Sequence, residues 1–214
     1  METKLSEKEL IILARMHMAC HPEAAITALG IEFVTDFYAF VADSQSENLF
    51  LHRDEGKIVG GCLLSLAPQT ISSRFRKNTP LRTWLPKTVA KLSPSAFIRF
   101  ALQEIMGMIR PRAAVANEPE VIYIFVDPDT RRVGFGRHLL AACESFMAGV
   151  GISSYVVRTW DDSEHPTVLF FVRNGFILGE IVETYGKSLR FMKKAITPRH
   201  SMAGEALVPN VAKK

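Results

Sequence analysis

The sequence predicts an α/β (α+β) fold, with helices and short strands interspersed in one domain over residues 1–196. Three observations favour this class. Phe33, Phe37 and Phe40 recur at helical spacing early in the chain. The stretch EVIYIFV, residues 120–126, is β-branched and aromatic and ends at Asp127-Pro128, as a buried strand would. An amphipathic helical pattern, GRHLLAACESFMAGV, follows it.

Start and stop signals predict the elements of the first third of the chain. Ser6, with Glu9 three residues later, forms a capping-box pattern that begins a helix in LSEKELIILARMH. A second helix covers GIEFVTDFYAFVADS. Two apolar runs in ENLFLHRDEGKIVGGCLLSLA predict a hairpin that turns at Asp54-Glu55-Gly56, because Gly56 can adopt a positive φ.

The last third predicts a second series of alternating elements. After the amphipathic helix, ISSYVVRTW reads as a strand, and PTVLFFVRNG as a short helix that Gly175 ends. FILGEIVE and SLRFMKKAI predict a closing hairpin around residues 184–187. Residues 197–214 lack periodicity and predict a flexible tail.

Composition excludes several classes of protein. The 214 residues suit one domain, with 48% apolar and 22% charged residues and no apolar run of about 18 or more, so a spanning helix is not predicted. The start, METKLSEKEL, carries acidic residues and lacks a signal-peptide pattern, so we expect a cytoplasmic protein. The cysteines Cys20, Cys62 and Cys143 are odd in number and far apart in sequence. We expect buried free thiols, with neither a disulfide framework nor a metal site.

Charge is distributed unevenly along a chain whose net charge is +4. Residues 71–112 carry nine basic residues against one acid, whereas the rest has 17 basic and 21 acidic residues. We interpret residues 71–119 as a basic, largely helical insertion, whose mixture of cations and aromatic residues suits an anionic substrate or a membrane surface. A solvated cap on the sheet is the alternative. Nucleic acid is not expected, since no recognition module is visible.

A strand, a glycine-containing turn and a helix meet at RRVGFG, residues 131–136. The first N–H groups of such a helix lack intrahelical partners and point into the turn. Glycine at 134 and 136 lets an anion approach the backbone, and Arg131, Arg132 and Arg137 add positive charge. A pyrophosphate would fit there. The alternative is that the glycines serve only the turn. Neither the dinucleotide pattern G-x-G-x-x-G nor the P-loop pattern occurs at this turn.

The segment resembles the acyl-CoA-binding core of the GNAT superfamily of N-acetyltransferases. There, a strand ending V-x-P is followed by Arg131-x-x-Gly134-x-Gly136 and a helix. Phe171-Val172-Arg173-Asn174-Gly175-Phe176 is similar to the downstream family pattern Y-x-x-x-G-F, and the two early helices and hairpin stand in the family's order. The resemblance implies a mixed, mostly antiparallel sheet with splayed central strands, and acetyl-CoA in the opening.

The resemblance also implies which residues hold the cofactor. The backbone of Phe125 and Val126 would bond to the pantetheine and acetyl group, with the Val126 N–H as oxyanion donor. Arg131 would lie at the motif's Q/R position. The N–H groups that would hold the pyrophosphate are those of Arg132, Val133, Gly134, Phe135, Gly136 and Arg137.

Acetyl transfer needs an unprotonated amine, and an unperturbed Lys-type amine has a pKa of about 10.4. Glu120 is the candidate general base, six residues before Val126 and on the same face of a regular strand. In several relatives a glutamate at the corresponding place draws the proton off through water. The alternative is a solvated carboxylate at the start of a strand.

The family's usual acid for the departing thiolate is a tyrosine, and Phe171 occupies its position. Water, Tyr155 or Tyr185 could protonate the thiolate instead, or the chain does not catalyse. The resemblance thus implies an enzyme, an N-acetyltransferase that acts on the amine of a small molecule. An early stretch, HPEAAITALGIEFVTDFYAFV, resembles members that act in amino-sugar pathways. A protein or peptide N-acetyltransferase and a non-catalytic acyl-CoA-binding module stay as alternatives, and a homodimer is left open.

Overall fold

A six-stranded sheet with helices on both faces forms the core of the protein. The computed structural model describes residues 4–24, 26–79, 118–131, 133–184 and 187–196. In order across the sheet, its strands cover residues 47–54, 57–65, 120–126, 154–160, 187–195 and 177–184. The predicted helix within residues 93–111, most of the basic insertion and the tail from residue 197 lie outside the described residues.

The first half of the chain contains the two predicted helices and the predicted hairpin, followed by a short helix at the start of the basic insertion. In chain order they are α1 (Glu7–Cys20), α2 (Ile31–Asp43), β1 (Glu47–Asp54), β2 (Lys57–Ser65) and α3 (Ile71–Asn78). The capping box is present, since Ser6 Oγ accepts from the Glu9 N–H and Glu9 Oε2 accepts from the Ser6 N–H at 2.8 Å. Glu55 and Gly56 both have positive φ, 46° and 78°, as a two-residue hairpin turn requires.

The second half has the predicted alternation of strands and helices. Its elements are β3 (Glu120–Val126), α4 (Phe135–Gly149), β4 (Ser154–Trp160), α5 (Pro166–Arg173), β5 (Ile177–Thr184) and β6 (Lys187–Ala195). Gly175, just after α5, has a φ of +84°, a conformation that ends helices and favours glycine.

The sheet opens in its middle. Neighbouring strands are antiparallel except β3 and β4, which run parallel and pair only at Glu120↔Val156 and Val121↔Val157. Beyond Val121 the two strands share no further ladder pairs. The expectation of a mixed, mostly antiparallel sheet is confirmed, and the short parallel pairing leaves one edge of β3 open.

A β-bulge in β3 changes which residues share a face. The register with β2 shifts between Leu63, which faces Tyr123, and Leu64, which faces Val121, so Ile122 is an extra residue. Ile122 and Tyr123 therefore both pack towards α1 and α2, whereas Val126 packs with the core under α4 and α5. The prediction that Glu120 and Val126 lie on one face was wrong, because strict alternation does not survive an extra residue.

Two apolar cores cover the two faces of the sheet. The first core joins the sheet to α1, α2 and α3, and the second joins it to α4 and α5.

Cys62 and Cys143 are buried free thiols, as expected, and their sulfurs lie 3.9 Å apart, while Cys20 is half-buried. None of the described helices is long and apolar enough to span a membrane. No cluster of three or more potential metal ligands occurs within the described ranges.

Candidate functional site

The open edge of β3 carries the backbone groups of Ile124 and Val126. The Asp127 N–H donates to the Val59 carbonyl on β2 at 2.9 Å, so backbone alternation turns Phe125 towards β2 as well. The intervening residues, Ile124 and Val126, then face the opening. Of the two predicted backbone ligands, Val126 lies at the opening, whereas the backbone of Phe125 faces β2 and its side chain is buried. Ile124 was not among the predicted residues, although strand alternation from Val126 would have indicated it.

The start of α4 forms the far end of the opening. Gly134 has a φ of +92°, a left-handed conformation that would strain other residues, and no side chain caps the helix. The Gly134 carbonyl accepts from the N–H groups of Arg137 and His138 at 3.0 and 3.1 Å. The N–H groups of Phe135 and Gly136 precede this closed turn, at the positive end of the helix dipole. Arg132 lies outside the described residues.

Gly136 allows α4 to approach the other wall of the opening. A Cβ at this position would lie 3.3 Å from two ring atoms of Phe170 on α5 and 3.9 Å from the Val126 side chain. A larger residue would push α5 outwards. Gly136 thus serves close packing, whereas Gly134 serves the turn.

The side chain of Arg131 turns back along β3. Its Nε donates to the Val126 carbonyl at 3.3 Å, and its Nη2 lies 3.3 Å from Cys20 Sγ at the end of α1. The guanidinium therefore links the turn before α4 to the end of α1, across the tip of the open edge.

The end of α1 brings two histidines to this place. His21 Nε2 lies 3.2 Å from the Ile124 carbonyl, and Cys20 Sγ donates to the Val126 carbonyl at 3.3 Å. One turn earlier, His17 is fully buried, and a hydrogen bond of 2.9 Å joins its Nδ1 to the Tyr38 hydroxyl. These two histidines were not among the predicted site residues, although a spacing of four residues places both on one helix face.

Burial keeps both imidazoles neutral. It lowers the pKa of His17 to about 3, and repulsion from His21 acts in the same direction. Burial also lowers the pKa of His21 from its ordinary value, helped by Arg131 and opposed by Glu23 and by the bond to Ile124. At neutral pH each ring therefore has one nitrogen with a proton and one with a lone pair.

Glu120 is held in a buried ion pair with β4. Its two carboxylate oxygens accept from Nε and Nη2 of Arg158 at 2.5 and 3.0 Å, and the two side chains are only 7% and 22% exposed. The Arg158 guanidinium also lies 5.9 Å above the Phe191 ring centroid. A solvated carboxylate is thus not what the structure shows at this position. Glu118, two residues earlier, instead binds the half-exposed Lys193 at 2.7 Å.

The candidates for the missing acid lie in different places. Phe171 is buried in the second core, 5.0 Å from the Phe176 ring centroid. The Tyr155 hydroxyl donates to Glu144 on α4 at 2.7 Å, and burial raises the pKa of Tyr155. Tyr155 is thus engaged away from the open edge, and Tyr185 lies outside the described residues.

The cations of α3 do not all face solvent. Arg74 forms an ion pair with Glu47, whose carboxylate is fully buried and also accepts from Ser65 Oγ at 2.8 Å. This arginine anchors α3 to the start of the first hairpin. Arg76 and Lys77 remain as the described cations of the predicted anion-binding surface, and the others from residue 82 onwards lie outside the described residues.

A splayed sheet whose open edge leads to an uncapped glycine helix start is the arrangement that the resemblance to the GNAT superfamily implies. Residues 12–176 match the family described as the acetyltransferase (GNAT) family. The match covers most of the chain, and the protein belongs to that family. Among curated protein sequences, none matches this chain significantly.

Solved structures of acetyltransferases share the fold. One described only as an acetyltransferase has a TM-score of 0.59 at 15% identity, covering 91% of this chain and 98% of its own. The ribosomal-protein-S18-alanine N-acetyltransferase from Escherichia coli has a TM-score of 0.53 at 15% identity, covering 95% of each chain. An aminoglycoside 6'-acetyltransferase type Ii has a TM-score of 0.53 at 16% identity, covering 92% of this chain and 98% of that one.

Proposed function

We propose that this acetyltransferase moves the acetyl group of acetyl-CoA to the amine of a small molecule, with amino sugars as the first candidates. The observation that carries the proposal is the opening between β3 and β4, which begins beyond Val121 and ends at the glycine start of α4. A cytoplasmic location is part of the proposal, since neighbouring reduced thiols such as Cys62 and Cys143 are typical of a reducing compartment.

The residues present fit acetyl-CoA. The backbone groups of Ile124 and Val126 at the open edge suit the amides of a pantetheine arm, with the N–H groups available to an oxyanion. The N–H groups from Val133 to Gly136 suit the pyrophosphate, because they combine an open glycine turn with the positive end of a helix. The Arg137 N–H, which was predicted to join them, instead donates to the Gly134 carbonyl. Acetyl-CoA would supply an activated thioester there.

Glu120 is proposed to take the first proton, the one that makes an incoming ammonium group a nucleophilic amine. An ionised carboxylate has about four lone-pair positions, and Arg158 occupies two of them. A water molecule bonded to a remaining position would pass the proton on. Arg158 would keep the carboxylate fixed at the base of the opening.

Binding of acetyl-CoA tests the site. At 100 times its dissociation constant, the ligand should raise the free energy of unfolding by about 2.7 kcal/mol, which a thermal melt detects. Gly134→Asp should abolish this gain, because it adds a side chain and a negative charge at the helix start. Gly151→Asp is the matched control, since Gly151 also has positive φ and open surroundings but lies after the other end of α4. Equal responses by the two variants would place the binding site elsewhere.

Thiol release from acetyl-CoA tests the acceptor. We expect release with glucosamine to exceed that with alanine, spermidine or a short alanine-starting peptide. Release with the peptide alone would favour the alternative of a protein N-acetyltransferase. One structural neighbour is described as an enzyme of this kind. Binding of acetyl-CoA without release on any amine would favour a non-catalytic module, which the phenylalanine at position 171 permits.

A further inference from the structure

The end of α1 places an imidazole directly against the open edge of β3. A carbonyl oxygen only accepts hydrogen bonds, so the 3.2 Å contact with the Ile124 carbonyl puts the proton of His21 on Nε2. In the neutral ring, Nδ1 then carries the lone pair. His21 therefore has a fixed tautomer with a proton acceptor beside the opening.

The backbone around His21 holds the ring in place. The His21 N–H donates to the His17 carbonyl at 2.8 Å, which ends the helix. The His21 carbonyl accepts from Thr27 Oγ1 at 2.8 Å and from the Ala24 N–H at 3.1 Å. The side chain is nevertheless 23% exposed, so a ligand can reach it. The ring is thus both positioned and accessible, as a catalytic group must be.

The groups around the ring oppose its protonation on balance. Glu23 Oε1 lies 4.0 Å from Nδ1 and favours the cation, whereas Arg131 and burial favour the neutral ring. Three rings among the described residues also pack near His21, with centroids 5.2 Å away for His17, 5.4 Å for Tyr123 and 6.3 Å for Phe125. A neutral imidazole is available near pH 7.

We propose that His21 is a further catalytic residue, which carries the second proton of the transfer from the amine to the sulfur of CoA. As the amine nitrogen bonds to the thioester carbonyl carbon, Nδ1 accepts the proton that the nitrogen loses. As the C–S bond breaks and its electron pair passes to sulfur, the imidazolium returns that proton to the thiolate. The products are the N-acetylated amine and the free thiol of CoA, and the imidazole is regenerated.

In this role His21 supplies the proton that a phenol at position 171 would have given to the thiolate. Phe171 has no proton to give, and Tyr155 is engaged with Glu144. Two protons leave an ammonium substrate on its way to the amide. Glu120 takes the first before attack, and His21 moves the second during attack. The inference rests on the proposed function and adds a second group to it.

Nitrogen-15 spectroscopy of the whole chain, labelled at histidine and glycine, tests the proposal without an acceptor. We expect His21 to be the neutral Nε2–H tautomer at pH 7 and to titrate below its ordinary pKa. Saturating acetyl-CoA should shift its Nδ1 resonance and the amide signals of Gly134 and Gly136, and leave the amide signal of Gly151, after the other end of α4, unshifted. A charged ring, the Nδ1–H tautomer or an unshifted Nδ1 alongside shifted glycine amides would overturn the His21 proposal alone. Unshifted glycine amides would overturn the proposed function, and this inference with it.

Turnover then tests the role of the proton acceptor, with the fastest amine of the four named above. His21→Gln keeps an N–H donor for Ile124 but cannot carry a proton, so kcat should fall by roughly 10²- to 10⁴-fold while the acetyl-CoA dissociation constant stays within about threefold. The acidic limb of the pH–rate profile should disappear. A parental rate or acidic limb in His21→Gln would refute the proposal.

Discussion

One long-range contact determines the environment of the Glu120 carboxylate. From sequence it is a carboxylate at the start of a strand, and only the fold brings Arg158, 38 residues later, against both of its oxygens. A carboxylate fixed at the base of the opening suits proton removal from an ammonium group better than a solvated one does.

Replacement of Glu120 by glutamine should slow turnover by roughly 10²- to 10⁴-fold with little change in acetyl-CoA affinity, since the base acts on the acceptor. The loss should shrink as pH rises towards the amine pKa, because the substrate then arrives neutral. The deficit of His21→Gln should persist at high pH. Initial rates between pH 7 and 10 measure this difference.

Glu118→Gln is the control for Glu120, since it removes a neighbouring carboxylate that pairs with the half-exposed Lys193. It should leave the rate nearly unchanged. Urea denaturation of each variant should precede the kinetics, because the buried Arg158 loses its partner in Glu120→Gln. Equal rates of Glu120→Gln and the parent at pH 7, with a folded variant, would remove Glu120 from the mechanism.

His17 should make the protein less stable in mild acid. Its pKa is lowered to about 3 in the folded state, whereas in the unfolded chain it lies near 6.5, so between these values the unfolded chain binds the extra proton. The free energy of unfolding therefore falls as pH drops below about 6.5, by roughly 2 kcal/mol from this residue by pH 5. Urea midpoints at pH 7.5, 6 and 5 measure the decline.

His17→Gln should flatten that decline, because glutamine does not titrate, although the variant will be less stable at pH 7.5 through the altered contact with Tyr38. His52→Gln serves as a control on an outer strand. Glu9, whose pKa is lowered to about 2, contributes only below about pH 4.5 and does not disturb the comparison. A decline of the same slope in His17→Gln would assign the acid sensitivity to other groups.

The elements were largely predictable from sequence, because their signals are local. Ser6 with Glu9, the Glu55-Gly56 turn and the glycine after α5 each fix a boundary through the conformation of one or two residues. The bulge at Ile122 was not predictable, since it depends on how β2 pairs with β3. For the same reason the contacts of His21 with Ile124 and of Arg131 with Cys20 lay beyond sequence patterns, because each joins elements about a hundred residues apart.

The helix α3 tests the predicted anion-binding surface. Arg76→Gln with Lys77→Gln should weaken binding to vesicles that contain anionic phosphatidylserine, most at low salt, where charges are least screened. Arg74 must stay, because its loss would leave the buried Glu47 unpaired. Vesicle co-sedimentation at low and high ionic strength measures the effect.

Lys4→Gln with Lys8→Gln removes the same charge near the start of α1 and provides the control, with acetyl-CoA binding retained in both double variants. If the α3 variant and the parent bind vesicles equally at low salt, or if neither binds, α3 is a solvated surface. Its role would then be to hold the insertion against the first hairpin through Arg74.

At the scale of the molecule, the described residues form two half-sheets joined where β3 and β4 pair at their starts. Strands β1 to β3 pack with α1 and α2 on one face, while β4 to β6 complete the second half. Only two ladder pairs join the halves, so the opening is a consequence of the architecture rather than of any one side chain. The groups at its edges come from α1, β3, α4 and α5, which is why one short motif could indicate the pyrophosphate site but not the acceptor side.

The outer strand of the second half-sheet, β5, indicates how two copies of this chain would associate. Among the described strands, β5 pairs only with β6, and it exposes Ile177, Leu178 and Ile181 at 75%, 44% and 50%. An apolar edge strand invites pairing with another strand, and a second copy related by a two-fold axis offers the same surface. We therefore expect a homodimer by light scattering after size exclusion.

Ile177→Lys with Ile181→Lys should give a monomer that still binds acetyl-CoA, because the opening lies on the other side of β4. Ile12→Lys, at an exposed apolar position on α1, should stay dimeric. A monomeric parent protein, or a dimer that survives both lysines, would show that β5 is not the interface.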